Sequence, residues 1–390
     1  MDRRTFLKGG GVITVAVLGG GVWRAYDHGV FSTGHGPAYE PWKDWRTASG
    51  NGPLALVRAA ILAASPHNTQ PWLFKVSNSA IELYIDTTRN VGPLDPYLRE
   101  EHIGMGCALE NLMQAAAANG YQAAITFLPG NLLSTQSPKL LARVDLAAGI
   151  QERSELYDAI PNRHTNRGLY IPHEALPSEF ISTLNGLVGQ EPNVKIYLFQ
   201  DQVEREKIVN ISSAANSEIY SDPSVVRASD RWIRVDWRQV QKFRDGLTID
   251  AFGLPPFKTA IVKIMPLWML IWAASHGPKN AYSNLMLSAP LIGIIAVRDR
   301  YDQEQCLHAG RIWQRAHLLA TARDLAGRPC NEAVEMIDYE KAHERPALRA
   351  ALLGEIIGDA AWQPTFLFYM GYPTLAAHAS PRRPVENVVV

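Results

Sequence analysis

Long apolar runs, clustered cysteines and an excess of charge of either sign are all missing from this 390-residue chain. Lys+Arg and Asp+Glu both number 38, which argues against nucleic acid as a partner, because phosphate backbones are bound through a basic surplus. The three cysteines, Cys107, Cys306 and Cys330, have neither CxxC nor ligand-like spacing. That excludes a disulfide framework and a cysteine-type zinc site, and no metal centre is expected. There is no GxSxG elbow, no Walker loop, no GxGxxG after a strand and no HExxH. What is present is 47% apolar residues with 10 Trp and 14 Tyr, enough for a full core and too aromatic for a disordered chain.

The chain opens Met1-Asp2-Arg3-Arg4-Thr5-Phe6-Leu7-Lys8, followed by a glycine-rich apolar run over 9–23. A charged start before a short apolar stretch is the design of an export signal, and the adjacent arginines resemble the twin-arginine type, which carries folded proteins. As a helix the run would span ~22 Å, short of the ~30 Å hydrocarbon core. No clean Ala-x-Ala follows, so a cleaved signal and an uncleaved anchor both stay open. The expectation is engagement of the export machinery, with the chain in the periplasm or on the outer face of the cytoplasmic membrane.

Residues 24–52 read as a Gly/Pro/Ser-rich linker docked on the body. Beyond it the patterns predict a helix over 53–64, a hairpin over 72–76 and 81–85, a helix over 104–119 stopped at Gly120, and strands over 123–128 and 140–146. The second half predicts a helix over 177–186, strands over 194–199 and 291–297, a helix over 310–325 stopped at Gly327, and a strand over 365–370. One echo joins the halves. A strand ending in an Asp/Arg pair (Asp86 and Arg89; Asp299 and Arg300) leads to a glycine (Gly106; Gly310) and an Ala/Leu-rich helix, which implies two copies of one α+β unit. Between them, about 204–285, lies an insertion holding Trp232, Trp237, Trp268 and Trp272. Lys263 and Pro266 interrupt its apolar run over 259–275, so it reads as a buried lid rather than a span, with a surface dipping into lipid as the alternative.

Two polar clusters stand out. Ser65-Pro66-His67-Asn68-Thr69-Gln70-Pro71-Trp72 is stiffened by proline and rich in amides and hydroxyls; it suits the edge of a flat heterocycle, or a capped turn over a buried Trp72. Asn162-Arg163-His164-Thr165-Asn166-Arg167 places arginines four apart around a hydroxyl, which suits a phosphate, or a solvated basic turn. Arg382-Arg383 could add charge.

Together these stretches resemble the nitroreductase-like flavoproteins. Ser65 to Trp72 looks like that family's Pro-Ser-Ser-x-Asn-x-Gln-Pro-Trp loop, and Arg163 to Arg167 its Arg-Arg-Ser-x-Arg motif. Gly371-Tyr372-Pro373 with Pro381-Arg382-Arg383-Pro384 is similar to its C-terminal ending. The resemblance implies an α+β, nitroreductase-like fold of two fused repeats around mixed or antiparallel sheets, with halves at 53–150 and 151–390. Ordinary members bind FMN at a homodimer interface, and one chain carries both motifs. Here the loop lies in the first half and the arginines in the second, a division similar to the Acg-type branch: a fused pseudo-dimer that keeps one site and is expected to be a monomer.

Carried over residue by residue, Arg163, Thr165 and Arg167 would hold the FMN phosphate, with Arg382 or Arg383 assisting. Ser65, His67, Asn68 and Gln70 would line the ring system and ribityl chain. Pro329, Cys330 and Asn331 fall where relatives place a backbone donor to the flavin, although the usual Glu-Gly pair is replaced; Cys330 itself reads as a small buried residue. No side chain is required as acid or base, since the flavin carries the electrons. The implied activity is reduction of a nitroaromatic or quinone by an exported enzyme, drawing on a quinol or protein donor because free NAD(P)H is not expected there. The alternatives are an FMN-sequestering protein without turnover and a binding protein for a ligand other than flavin.

Overall fold

Alternation of apolar and polar residues after Pro71 builds a hairpin, β1 (Trp72–Val76) and β2 (Ala80–Ile85), with Trp72 opposite Ile85 and Val76 opposite Ile81. The computed structural model describes residues 22–46, 52–134, 136–172, 174–189, 191–265, 269 and 280–390; the twin-arginine stretch, Trp268 and Trp272 lie outside them. Helix α1 (Pro53–Ala60) precedes the hairpin. Helix α2 (Arg99–Ala118) follows it, and β3 (Tyr121–Phe127) and β4 (Lys139–Ala148) complete an antiparallel sheet of order β1-β2-β4-β3.

The second half repeats this plan. After the short α3 (Glu155–Ala159) and α4 (Ser178–Gly186) come β5 (Val194–Phe199) and, beyond the insertion, β8 (Leu291–Val297), a strand apolar on both faces and buried throughout. Helix α10 (Gln303–Ala322) then leads to β9 (Ala326–Pro329), α11 (Glu332–Ala342), α12 (Leu348–Ile357) and β10 (Gln363–Gly371). The sheet order is β5-β8-β10-β9, again antiparallel. Each sheet thus has its first, second, fourth and third strands side by side, with a 20-residue helix between the second and third.

Helices α2 and α10 cross where the sequence echo put its glycines. A Cβ on Gly106 would lie 2.1 Å from the Leu307 carbonyl oxygen, and one on Gly310 1.9 Å from that of Ile103. Only hydrogen fits at either place, so the backbones touch. Glu110 is 3.0 Å from Arg311 and 2.9 Å from Arg315, and Gln314 donates to Asn111 at 2.8 Å, tying the helices beyond the crossing. Residues near the C-terminus cross to the first half: Phe74 of β1 donates to Val388, and Val390 donates back to Phe74.

The insertion lies between β5 and β8. It comprises α5 (Gln202–Ile219), α6 (Pro223–Asp230), a short parallel pair β6 (Ile233–Arg234) and β7 (Leu247–Thr248) around α7 (Trp237–Phe243), then α8 (Pro256–Ile264) and α9 (Ala281–Ser288). Asp201, Asp222 and Asp236 cap α5, α6 and α7 by accepting from backbone N–H groups. Asp245 accepts from Arg234 and from Arg89, each at 2.5 Å, which fastens the insertion to the first half. Among the described residues no helix is long and apolar enough to cross a membrane.

Three expectations need correction. Helices α2 and α10 begin five and seven residues earlier than their apolar patterns. Gly327 does not stop a helix; the chain turns at Asp324, whose φ is 56°, and Gly327 sits in β9. The 24–52 stretch is more than a linker, for it contains a helix (Glu40–Asp44) and buries Tyr39, Trp42 and Trp45.

Candidate functional site

A cavity of about 620 Å³ opens where both halves and the insertion meet, within the size range of small-molecule and cofactor sites. One wall is a face of α2 with Glu100, Ile103, Gly104 and Cys107, the i, i+3, i+4, i+7 spacing of a single helical stripe. A Cβ on Gly104 would sit 3.0 Å from Pro66, so the absent side chain lets the Ser65–Gln70 turn lie against the helix.

That turn is held in a backbone conformation L-residues rarely adopt: φ is 45° at His67, 58° at Asn68 and 52° at Gln70. Such residues cost on the order of 1–3 kcal/mol each and cluster at ligand sites. The surroundings enforce the shape. Ser65 Oγ accepts from the Gln70 N–H at 3.0 Å. Asn68 donates to the carbonyls of Gly246 (3.0 Å) and Pro381 (2.9 Å) and accepts from Arg382 at 2.7 Å. His67 Nε2 lies 2.8 Å from Ser229 Oγ on α6.

Beside Arg328, three further guanidiniums line the cavity. Arg163 is 2% exposed, donates to the Leu62 carbonyl at 3.0 Å and meets His317 Nδ1 at 3.4 Å; its Nε has no partner among the described residues. Arg382 donates to Asn68 and to the Ala63 carbonyl (3.0 Å), lies over the Trp42 ring, and also leaves Nε unpartnered. Among the described residues Arg167 reaches the Ala251 carbonyl, at 3.5 Å. None of the three pairs with a carboxylate among the described residues. Burial pulls Arg163 down to about 10, and burial with Arg328 does the same to Arg167. Arg382 falls further, through burial and Arg163. Burial and the cations push His164 to about 3 and His67 to about 4, so both rings are neutral. A buried positive field without counter-charge is a place for an anion.

Of the residues expected from sequence, Ser65, His67, Asn68, Arg163, Thr165, Arg167, Pro329, Asn331 and Arg382 line this cavity. Gln70, Cys330 and Arg383 do not. Gln70 is fully buried behind the turn, where its side-chain amide donates to the Arg244 carbonyl and accepts from the Arg383 N–H. Arg383 is turned away, bonding the carbonyls of Gln70 and Asn387. Cys330 belongs to the core; its N–H is committed to Leu367 at 2.9 Å, and burial raises its thiol well above the usual range. Since Pro329 has no N–H, neither residue offers the expected backbone donor.

Sequence reading missed Trp42, Glu100, Tyr220, Trp313, Glu332 and Glu335, all on the cavity wall. The helical stripe through Gly104 points to Glu100, but only if α2 is known to begin at Arg99. Insertion residues Tyr220, Ser229, Ile233, Leu247 and Phe252 also line the cavity.

No family model matches the chain. Two curated Mycobacterium tuberculosis proteins, from two strains and provisionally named NAD(P)H nitroreductases, are 32% identical to it over 116 residues, 28% of this chain and 32% of theirs. The match therefore spans about a third of the length of these relatives. Among solved structures, an FMN-dependent nitroreductase from Mycobacterium smegmatis in complex with NADPH aligns over 60% of this chain and 96% of its own, at 14% identity and a TM-score of 0.37. A BluB-like flavoprotein from Clostridium difficile aligns over 61% and 98%, at 15% identity and the same TM-score. At such scores the superpositions carry no structural argument.

Proposed function

We propose that this chain is an FMN-binding oxidoreductase of the nitroreductase-like type, reducing a small nitroaromatic or quinone-class acceptor. The observation that carries the reading is that Arg163, Arg167 and Arg382, without carboxylate partners among the described residues, line one cavity with a strained, amide-rich turn. FMN fits these residues: the guanidiniums and the Thr165 hydroxyl would hold its phosphate, and Ser65, His67 and Asn68 would line its polar ring edge. When bound, the flavin supplies the electron transfer. The chain's own residues orient it and exclude water. Arg163 and Arg382, braced by main-chain carbonyls and Trp42, hold charge where a phosphate is accepted. Neutral His67 and His164 add no competing proton there.

The two halves (53–150, and 151–390 with the insertion at about 204–285) each supply part of the cavity, the turn from the first and the arginines from the second. This division supports a fused pseudo-dimer acting as a monomer, of the Acg-type branch. The Arg3-Arg4 stretch supports export by the twin-arginine machinery. The curated relatives are named for NAD(P)H; for an exported chain we favour a quinol or protein donor.

The test is an absorption spectrum of protein purified without added cofactor, followed by release and identification of any chromophore. One FMN per chain, lost from an Arg163→Ala/Arg167→Ala variant, supports the reading; a colourless protein that fails to take up FMN sinks it. Rapid reoxidation of the dithionite-reduced protein by quinones or nitroaromatics marks an enzyme, and inert reduced flavin marks the sequestering alternative.

A further inference from the structure

Carboxyl groups also line the cavity, with Arg328 beside Glu332. Glu100 on α2 and Glu335 on α11 come from different halves, are 5% and 7% exposed, and both face the cavity. The two carboxyls lie within hydrogen-bonding reach of each other across the cavity wall. Two ionised carboxylates have only acceptors to offer, so one of the pair must carry a proton. Glu100 stands seven residues before Cys107 on the α2 face that walls the cavity, about 10 Å along it at 1.5 Å per residue. A ligand anchored by its phosphate at Arg163 and Arg382 would share this one cavity with the pair, and the Nε atoms of both arginines, unpartnered among the described residues, point independently to such a ligand.

We propose that Glu100 and Glu335 hold one proton between them and deliver it to the oxygen of a quinone-class acceptor during its reduction. This assignment rests on the flavin reading above. Conversion of a quinone to a quinol takes two electrons and two protons. A reduced flavin held in the cavity would supply both electrons and one proton together, as a hydride. The carboxyl pair provides the second proton to the quinone oxygen, an O–H bond breaking on the pair as one forms on the product. The carboxylate left behind is reprotonated from solvent.

The groups around the pair fix where the proton rests. Arg99 Nη2 is 3.3 Å from Glu100 Oε1 and favours ionisation of that partner, though Arg99 chiefly pairs with Asp338, at 2.7 Å. Asp95 before α2, Glu101 on α2, Glu332 and Asp338 on α11, Arg328 on β9 and Tyr220 after α5 complete the surroundings. Burial raises Glu100 to about 7; burial, Glu100 and Glu332 raise Glu335 well above the carboxylate range. Glu335, raised by burial and by the charges of Glu100 and Glu332, is the partner that favours keeping the proton, as a general acid must.

The experiment compares wild type with Glu335→Gln and Glu100→Gln, all as purified. Infrared titration should show in wild type a protonated-carboxyl C=O stretch that persists to neutral pH and is lost in Glu335→Gln. Each dithionite-reduced protein is then reoxidised by a benzoquinone, which takes electrons and protons, and by ferricyanide, which takes electrons alone. The ratio of quinone to ferricyanide rates should fall about 100-fold in Glu335→Gln, the scale of a lost general acid. Glu335→Asp, which restores a proton carrier, should recover part of the ratio and its fall at high pH. A wild type without the carboxyl band, or an unchanged ratio in both Gln variants, overturns the proposal while the flavin reading stands. A protein without flavin overturns the flavin reading and this delivery with it.

Discussion

Replacing Arg163 by methionine should stabilise the flavin-free protein and weaken the flavin complex. The guanidinium is 2% exposed and held near 10 rather than 12.5; keeping it charged there costs about 3 kcal/mol. Methionine fills similar space without the charge. The losses are one hydrogen bond to the Leu62 carbonyl and a weak contact with His317, together about 1–1.5 kcal/mol. The Leu62 oxygen keeps Arg382 at 3.4 Å. The net expectation is a gain of about 1–2 kcal/mol without flavin. The phosphate loses a charge-assisted bond, about 1.5–3 kcal/mol, or roughly 10- to 150-fold in Kd. Urea unfolding followed by tryptophan fluorescence, with and without FMN, reads both effects, because ligand adds stability in proportion to ln(1 + [L]/Kd). A flavin-free variant less stable than wild type, with an undiminished FMN increment, would refute the claim that Arg163 is a strained charge awaiting an anion.

Two further substitutions read the fold. Gly310→Ala puts a methyl 1.9 Å from the Ile103 carbonyl, where only backbone can yield, and should lower the urea midpoint by the equivalent of at least ~1–3 kcal/mol. Gly354→Ala in α12 meets nothing within 4 Å and should raise it by ~0.5–1 kcal/mol; equal effects would contradict the crossing. His102 is fully buried, bonded through Nδ1 to the Leu98 carbonyl, and depressed to about 4 by burial. Unfolded, it takes a proton near 6.5. Its contribution is therefore intact above that pH and is lost as pH falls toward about 4. His102→Asn should lack this share of the acid slope when urea midpoints are compared at neutral and acid pH.

Most strands were legible because one face of each is wet: β1, β2 and β5 alternate, and the wholly apolar β8 is bounded by Pro290 and Asp299. The helix starts were not. Arg99-Glu100-Glu101-His102 looks like solvated charge, yet all four are buried, because Arg99 pairs with Asp338 and donates to Thr365 while Glu101 accepts from Thr69 at 3.0 Å. Gln303 misleads in the same way at the start of α10, being buried where it donates to the Leu128 carbonyl. In the site, the arginines betray themselves by local spacing around Thr165. The carboxyl pair cannot, since Glu100 and Glu335 lie far apart in sequence and each alone resembles an ordinary helix-surface acid. Gln70 was misplaced for a subtler reason: an amide in a polar turn suits a ligand and suits bracing the turn equally well, and only the Arg383 N–H facing it decides between them.

The crossing of the tail onto β1 bears on how the chain is made. Asn68 is separated from its partner Arg382 by 314 residues, and Phe74 is as distant from the Val388–Val390 stretch that covers its edge. A ribosome delivers the first half long before either partner exists. During that interval the half has an open sheet edge, and its Ser65–Gln70 turn lacks the Pro381 carbonyl and the guanidinium that hold it. No anion can be captured then, because every arginine of the cluster is still to come. Capture of an anion by the cluster therefore requires both halves to have been made, and the same tail that brings Arg382 to Asn68 covers the β1 edge at Phe74.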